Sequence, residues 1–188
     1  MRKALWWACF LAGSLAALQT SAAAQEVIHA LTGTVSSIDS ADSTITVFQD
    51  NGTRGVFQEM GAKHRVSLDK RIAADTTAVN AFNKQGAYVI VFYYGADDRT
   101  VVAVKNLGAG PFASATGTFK KIESHSHTLI LTDNSGAELS FKIEPQTVAE
   151  GTLGAVEGLK FDGQKGDRIR VVSTKVDGTP TALFISEM

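Results

Sequence analysis

The segment Thr32-Gly33-Thr34-Val35-Ser36-Ser37-Ile38 returns as Thr116-Gly117-Thr118-Phe119-Lys120-Lys121-Ile122, an offset of 84 residues. The same offset links Thr44 to Thr128, Gly52 to Gly136 and Phe57 to Phe141. A fixed spacing over that many anchors means one folding unit duplicated in tandem. The shared positions carry no reactive side chains, so the repeat speaks to architecture and leaves chemistry open.

In the first copy, Leu31 to Ile38 and Thr44 to Phe48 alternate small or polar with apolar residues, the period of a half-buried strand. That alternation points Val35, Ile45 and Val47 inward. Asn51-Gly52 supplies a tight hairpin turn whose two central residues take positive φ, and Val56 and Phe57 continue into a third strand. A glycine inside a strand weakens it unless bending requires one; the return of Gly33 as Gly117 points to a barrel corner in each copy. Asp75 is placed to cap a short helix over Thr76 to Lys84, with Val79 and Phe82 on one face and Gly86 closing it. Tyr88 to Tyr94 and Thr100 to Asn106 are the last two strands. Three strands, a short helix and two strands in about 75 residues is the order of an OB-type barrel.

The expected fold is therefore all-β: two tandem five-stranded OB-like barrels at 25–107 and 114–188. The first has a short helix between its third and fourth strands, and residues 108–113, with Gly108, Gly110 and Pro111, form the linker. In the second copy, Glu138 to Ile143 is the third strand, Gly166 to Val171 opens the fourth, and Asp177-Gly178 is a hairpin turn. The glycine-rich stretch Val148 to Gly166 lacks a helical signal and reads as loop or one loose turn.

Arg2 and Lys3 precede an apolar run from Ala4 to Leu18, and Ala22-Ala23-Ala24 offers small residues for a peptidase. That is the order of a secretory leader, and the run is too short for a membrane anchor. Cleavage after Ala24 gives an exported protein, in the periplasm or outside the cell, with no integral membrane segment. Cys9, Trp6 and Trp7 leave with the leader, so the mature chain has no disulfide, thiol nucleophile or thiolate ligand. Of 18 Lys and Arg, loss of Arg2 and Lys3 leaves 16 against 19 acidic residues, a formal charge of −3. The one basic concentration, Lys63-His64-Arg65 with Lys70 and Arg71, is broken by Asp69 and reads as a solvated face. Export, the acidic balance and a single Arg among the outward residues of the second and third strands argue against nucleic acid.

Two features carry candidate sites. Aligning Gly86 with Gly166 pairs Val89 and Val91 with Ile169 and Val171, the inward set. The opposite face is aromatic in the first copy (Tyr88, Ile90, Phe92, with Tyr94 beyond) and polar in the second (Arg168, Arg170). An apolar face of that kind is covered by the second barrel or a loop, or it binds a partner or apolar ligand. The second feature is His125-Ser126-His127. Two imidazoles at i and i+2 of a strand share a side and could grip one metal ion, with Glu123 the nearest third ligand. In the repeat alignment, however, the pair falls on the turn between the first two strands. Asp39, Asp42, Asp97 and Asp98 sit at turns, where carboxylates are ordinary turn formers, and no nucleophile or phosphate-binding motif is present.

The pattern T-G-T-x-x-x-I-(D/E)-S, then T-(I/L)-x-(V/L), a turn ending in Gly, a Phe-containing third strand and G-D-R-I-R-V at the fourth resembles the small exported bacterial OB-like domains of unknown function. The resemblance covers both repeats and implies fold and compartment. More distantly, the opening is similar to the periplasmic copper/silver chaperones, which hold a soft ion with a His, two Met and a Trp. Here no Trp survives cleavage and Met60 is the sole internal methionine, so that ligand set does not carry over. The expectation is an exported, non-catalytic binding or adaptor module of the cell envelope. It needs no cofactor, and its partner is an envelope protein or a small apolar ligand. The alternative is weak metal binding at His125 and His127.

Overall fold

A computed structural model of the chain describes residues 26–59, 68–96 and 99–188. The segment expected to be a leader, 1–24, and Met60, Lys63-His64-Arg65 and Asp97-Asp98 lie outside the described residues.

The first barrel begins with β1 (His29–Asp39), β2 (Thr44–Gln49) and β3 (Arg54–Glu59). The two-residue β4 (Thr76–Thr77) and then β5 (Tyr88–Tyr94) and β6 (Thr100–Asn106) follow. Its strands run β3-β2-β1-β5-β6 and close through a parallel β3–β6 pairing, Gln58 to Thr100 and Glu59 to Val101. The second barrel has β7 (Ala113–Glu123), β8 (Thr128–Thr132), β9 (Glu138–Gly151), β10 (Gly154–Glu157), β11 (Arg168–Val176) and β12 (Thr179–Glu187). It closes in the same order, with β9–β12 as its parallel pair and β10 appended to β9. Two closed five-stranded barrels in tandem is the architecture the repeat predicts.

Curvature has the same source in both. A Cβ on Gly33 would lie 2.4 Å from the Phe48 carbonyl oxygen, and one on Gly117 2.8 Å from that of Thr132. Absence of a side chain lets the neighbouring strand close over the bend. A bulge follows at once, between Val35 and Ser37 in β1 and between Phe119 and Lys121 in β7. It adds local twist, as barrel corners need. Val35, Ile45, Val47, Phe57, Val89 and Val91 fill the first barrel; Phe119, Leu129, Leu131, Phe141, Ile169 and Val171 fill the second.

Three local expectations are corrected. Thr76 to Lys84 is not a helix: Thr76 and Thr77 pair with Lys105 and Val104 of β6, as suits β-branched residues, and only Val79–Ala81 makes a 3₁₀ turn. Asp75, at φ 61, sits in the left-handed region and ends the preceding turn rather than capping a helix. Val79 and Phe82 still plug the barrel, as their spacing predicts. Residues 148–166 are more ordered than a loop. β9 runs on to Gly151, β10 folds back on it, and a 3₁₀ turn at Gly158–Lys160 brings Phe161 into the core where Phe82 sits in the first copy. Finally, Gly52 takes φ 85 but Asn51 does not have positive φ, so the β2–β3 connection is a longer loop in which the Asn51 side chain accepts from the Thr53 amide. Asp177-Gly178 does have positive φ at both positions, 50 and 79.

A third apolar core joins the barrels. Ile90, Phe92, Ala103, Ala30 and Ile72 of the first pack with Val148, Val172 and Phe184 of the second. Full burial of its Ile, Val and Phe side chains stabilises by about 1.5–3 kcal/mol each. Polar contacts surround it. The Glu150 carboxylate takes the His29 ring (2.7 Å) and the Ala30 amide (2.6 Å), and Glu157 takes Arg71 (2.8 Å). The Lys105 ammonium donates to the Gln146 carbonyl at 3.2 Å, and burial pushes its pKa down.

Candidate functional site: a cleft between the barrels

β5 has two faces by the strand's period of two, and the structure assigns each. Val89 and Val91 point into the first barrel, while Ile90 and Phe92 are fully buried in the interdomain core. Neither Ile90 nor Phe92 can meet a ligand; they are covered by the second barrel, whose β11 supplies Val172 at the matching position. Tyr94 is also buried. Of the four residues proposed as a binding face, only Tyr88 reaches solvent. The apolar face is an interface because its complement is carried by the same chain.

Tyr88 stands at the mouth of a cleft of about 790 Å³ where the barrels part. On one side are Thr34, Phe48, Asp50 and Tyr88 of the first barrel; on the other are Ser114, Thr116, Arg170 and Val172 of the second. Phe112 of the connection leans on Tyr88, ring centroids 5.0 Å apart. Phe48 is 55% exposed although it is a large aromatic, because the β2 alternation that buries Val47 turns it outward. The lining is mainly apolar with a few polar groups, the composition expected of a ligand cleft, and its volume falls within the usual range.

The polar groups form one network. Asp50 Oδ2 accepts from the Thr32 hydroxyl (2.5 Å) and the Tyr88 hydroxyl (2.5 Å), and pairs with Arg170 Nη1 at 3.0 Å. Arg170 Nη2 donates to Thr32 Oγ1 at 3.1 Å. Burial, reinforced by the bond to Asp50, raises the Tyr88 pKa, so the phenol stays protonated and donating. The network fixes the barrels' relative position and sets the rim of the cleft. Its carboxylate is committed to three donors.

His125 and His127 do not line this cleft. They sit on the exposed β7–β8 turn, and His127 takes φ 50, the conformation of Ser43 (φ 52) at the equivalent turn of the first barrel. His127 occupies a turn position, and the i, i+2 strand geometry that would aim both rings to one side is absent. Glu123 is engaged by Lys121 (2.5 Å) and Ser126 (3.1 Å). Among the described residues no three His, Cys, Asp or Glu side chains gather as a metal site.

Phe48, Phe112, Asp50 and Arg170 carry the cleft, and the sequence reading singled out none of them as a site. The β2 alternation does mark Phe48 as outward-facing. The Asp50–Arg170 pair spans both repeats, and no local pattern announces it. No protein-family model matches the chain, and no curated protein matches it.

Proposed function

We propose that the chain is an exported, non-catalytic binding module of the cell envelope, and that it binds through the cleft between its barrels. The observation that carries this reading is the outward Phe48, which with Tyr88 and Phe112 makes an aromatic wall facing solvent beside a fixed ion pair. Such a wall costs solvation unless something is laid against it. The Asp50–Arg170 network supports the reading further, since it preorganises the rim and reduces what a ligand must order on arrival.

The test uses Phe48→Trp as a reporter in the purified, leader-free protein, where the sequence provides no other tryptophan. Apolar probes, fatty acids and short apolar peptides are titrated in. The reading requires a saturable emission change with at least one class, abolished by Phe112→Asp at unchanged Tm. A flat emission across all three classes rejects the cleft as a binding site.

A further inference from the structure

The duplication allows one edge of each barrel to be compared position by position. In β1, the residues before Gly33 pair with β5 on one side only; β2 begins at Gly33. Even-numbered residues there turn their backbone groups away from β5. The Ile28 carbonyl accepts from the Ala155 amide at 2.7 Å, the Ala30 amide donates to Glu150, and the Thr32 carbonyl accepts from the Asp50 amide at 3.2 Å. Two of those three partners come from the second barrel, through β9 and β10. Gly154 is what lets β10 approach, since a Cβ there would lie 2.4 Å from the Ile28 carbonyl oxygen. Ala30 and Thr32 are consequently 4% and 1% exposed.

The equivalents, at the same offset of 84, are Phe112 just before β7 and Ser114 and Thr116 within it. The registers correspond: Ala30 faces Phe92 and Thr32 faces Ile90, while Ser114 faces Val172 and Thr116 faces Arg170. β8 pairs only from Thr118 onward. The outward backbone groups of Ser114 and Thr116 therefore face away from β11, and among the described residues no hydrogen bond reaches the Ser114 amide or the Thr116 carbonyl from that side. Ser114 is exposed where Ala30 is buried. Phe112, Ser114 and Thr116 also line the cleft.

We infer that the cleft takes an extended polypeptide segment of a partner, added as a strand to the free edge of β7. The inference rests on the cleft being the binding site and names the class of ligand. The molecule supplies the precedent: the matching edge of the first barrel is covered by β9 and β10, the Ala155 amide meeting the Ile28 carbonyl and the Glu150 side chain the Ala30 amide. An unpaired edge is a template for another strand, and main-chain bonds then give affinity while alternate side chains give selectivity. From Phe112 to Thr116 the edge accommodates about five residues at roughly 3.3 Å each. Alternate side chains of the incoming strand face the wall of Phe48, Tyr88 and Phe112, which selects apolar or aromatic residues at every second position.

The experiment selects short random peptides on the purified protein, remakes the best binders and titrates them. Ser114→Pro deletes the outward amide without touching a β11 bond, a substitution edge strands accept, while Ser114→Ala keeps it. Binders with apolar residues at alternate positions, weakened about tenfold or more by Ser114→Pro but within about twofold for Ser114→Ala, are expected. As a check independent of the protein's fold, N-methylating alternate peptide amides must abolish binding in one phase and spare it in the other. Equal affinity for Ser114→Pro and wild type, or insensitivity to N-methylation, overturns strand addition. If Phe112→Asp still abolishes binding in that case, the cleft survives as a site for another ligand. Selection of no peptide, or self-association lost in Ser114→Pro, overturns the peptide assignment.

Discussion

Arg170 of the second barrel lies 3.0 Å from Asp50 of the first, and the same carboxylate oxygen holds the hydroxyls of Thr32 and Tyr88. Arg170 occupies the register position that Ile90 occupies in the other repeat, so the duplicated strand carries an interface cation in one copy and an interface hydrophobe in the other. The two side chains are 16% and 22% exposed, well below an ordinary surface pair.

Removing the cation leaves Asp50 with two neutral donors in a partly buried site. Arg170→Met is expected to destabilise by about 1–3 kcal/mol, and Asp50→Asn in the same background to cost little more. Urea denaturation of the two single variants and the double variant checks this. Additive losses would mean that the pair does not couple the barrels.

The two corner glycines differ in tightness. A Cβ at Gly33 meets the Phe48 carbonyl oxygen at 2.4 Å and Val47 Cγ1 at 2.6 Å, whereas at Gly117 the nearest atoms are at 2.8 and 3.0 Å. Both alanine variants should lose stability, by about 1–3 kcal/mol, with Gly33→Ala the worse. Their thermal midpoints decide the order; a neutral Gly33→Ala would remove the steric account of the bend.

Two interdomain carboxylates should respond to pH with opposite sign. Hydrogen bonds from Lys160 and Arg71 hold the Glu157 pKa below the ordinary carboxylate value. Its contribution is therefore present above that ordinary value and lost as pH falls through the lowered one. Burial pushes the Glu150 pKa up, only partly offset by His29 and the Ala30 amide. Its contribution is greatest below the ordinary value and declines as pH rises through the raised one. Melting profiles from pH 3 to 8 should show Glu157→Gln blunting the acid loss and Glu150→Gln flattening the decline above it. Identical profiles for both variants would contradict the assignment.

Much of the fold was legible in the chain. Period-two alternation placed Val35, Ile45, Val47, Val89 and Val91 inward, because side chains on a strand have only two directions to choose between. Repetition at a fixed offset located the bends at Gly33 and Gly117, since only glycine fits beneath the adjoining carbonyl. The helix expected at Thr76–Lys84 failed for a tertiary reason: β6 offered Thr76 and Thr77 a strand partner. The reading of β5 left two outcomes open for Ile90 and Phe92, and periodicity cannot distinguish a face that waits for a ligand from one already covered.

The sequence by itself determined two curved, duplicated barrels and which side of each strand is interior, because strand period, turn chemistry and glycine sterics act over a few residues. Only the tertiary structure decided that Ile90 and Phe92 face Val148, Val172 and Phe184, that Asp50 meets Arg170, and that among the described residues the edge of β1 is filled while that of β7 is free. Those outcomes depend on how two rigid barrels settle against each other, a packing choice between residues roughly a hundred positions apart that no local signal encodes.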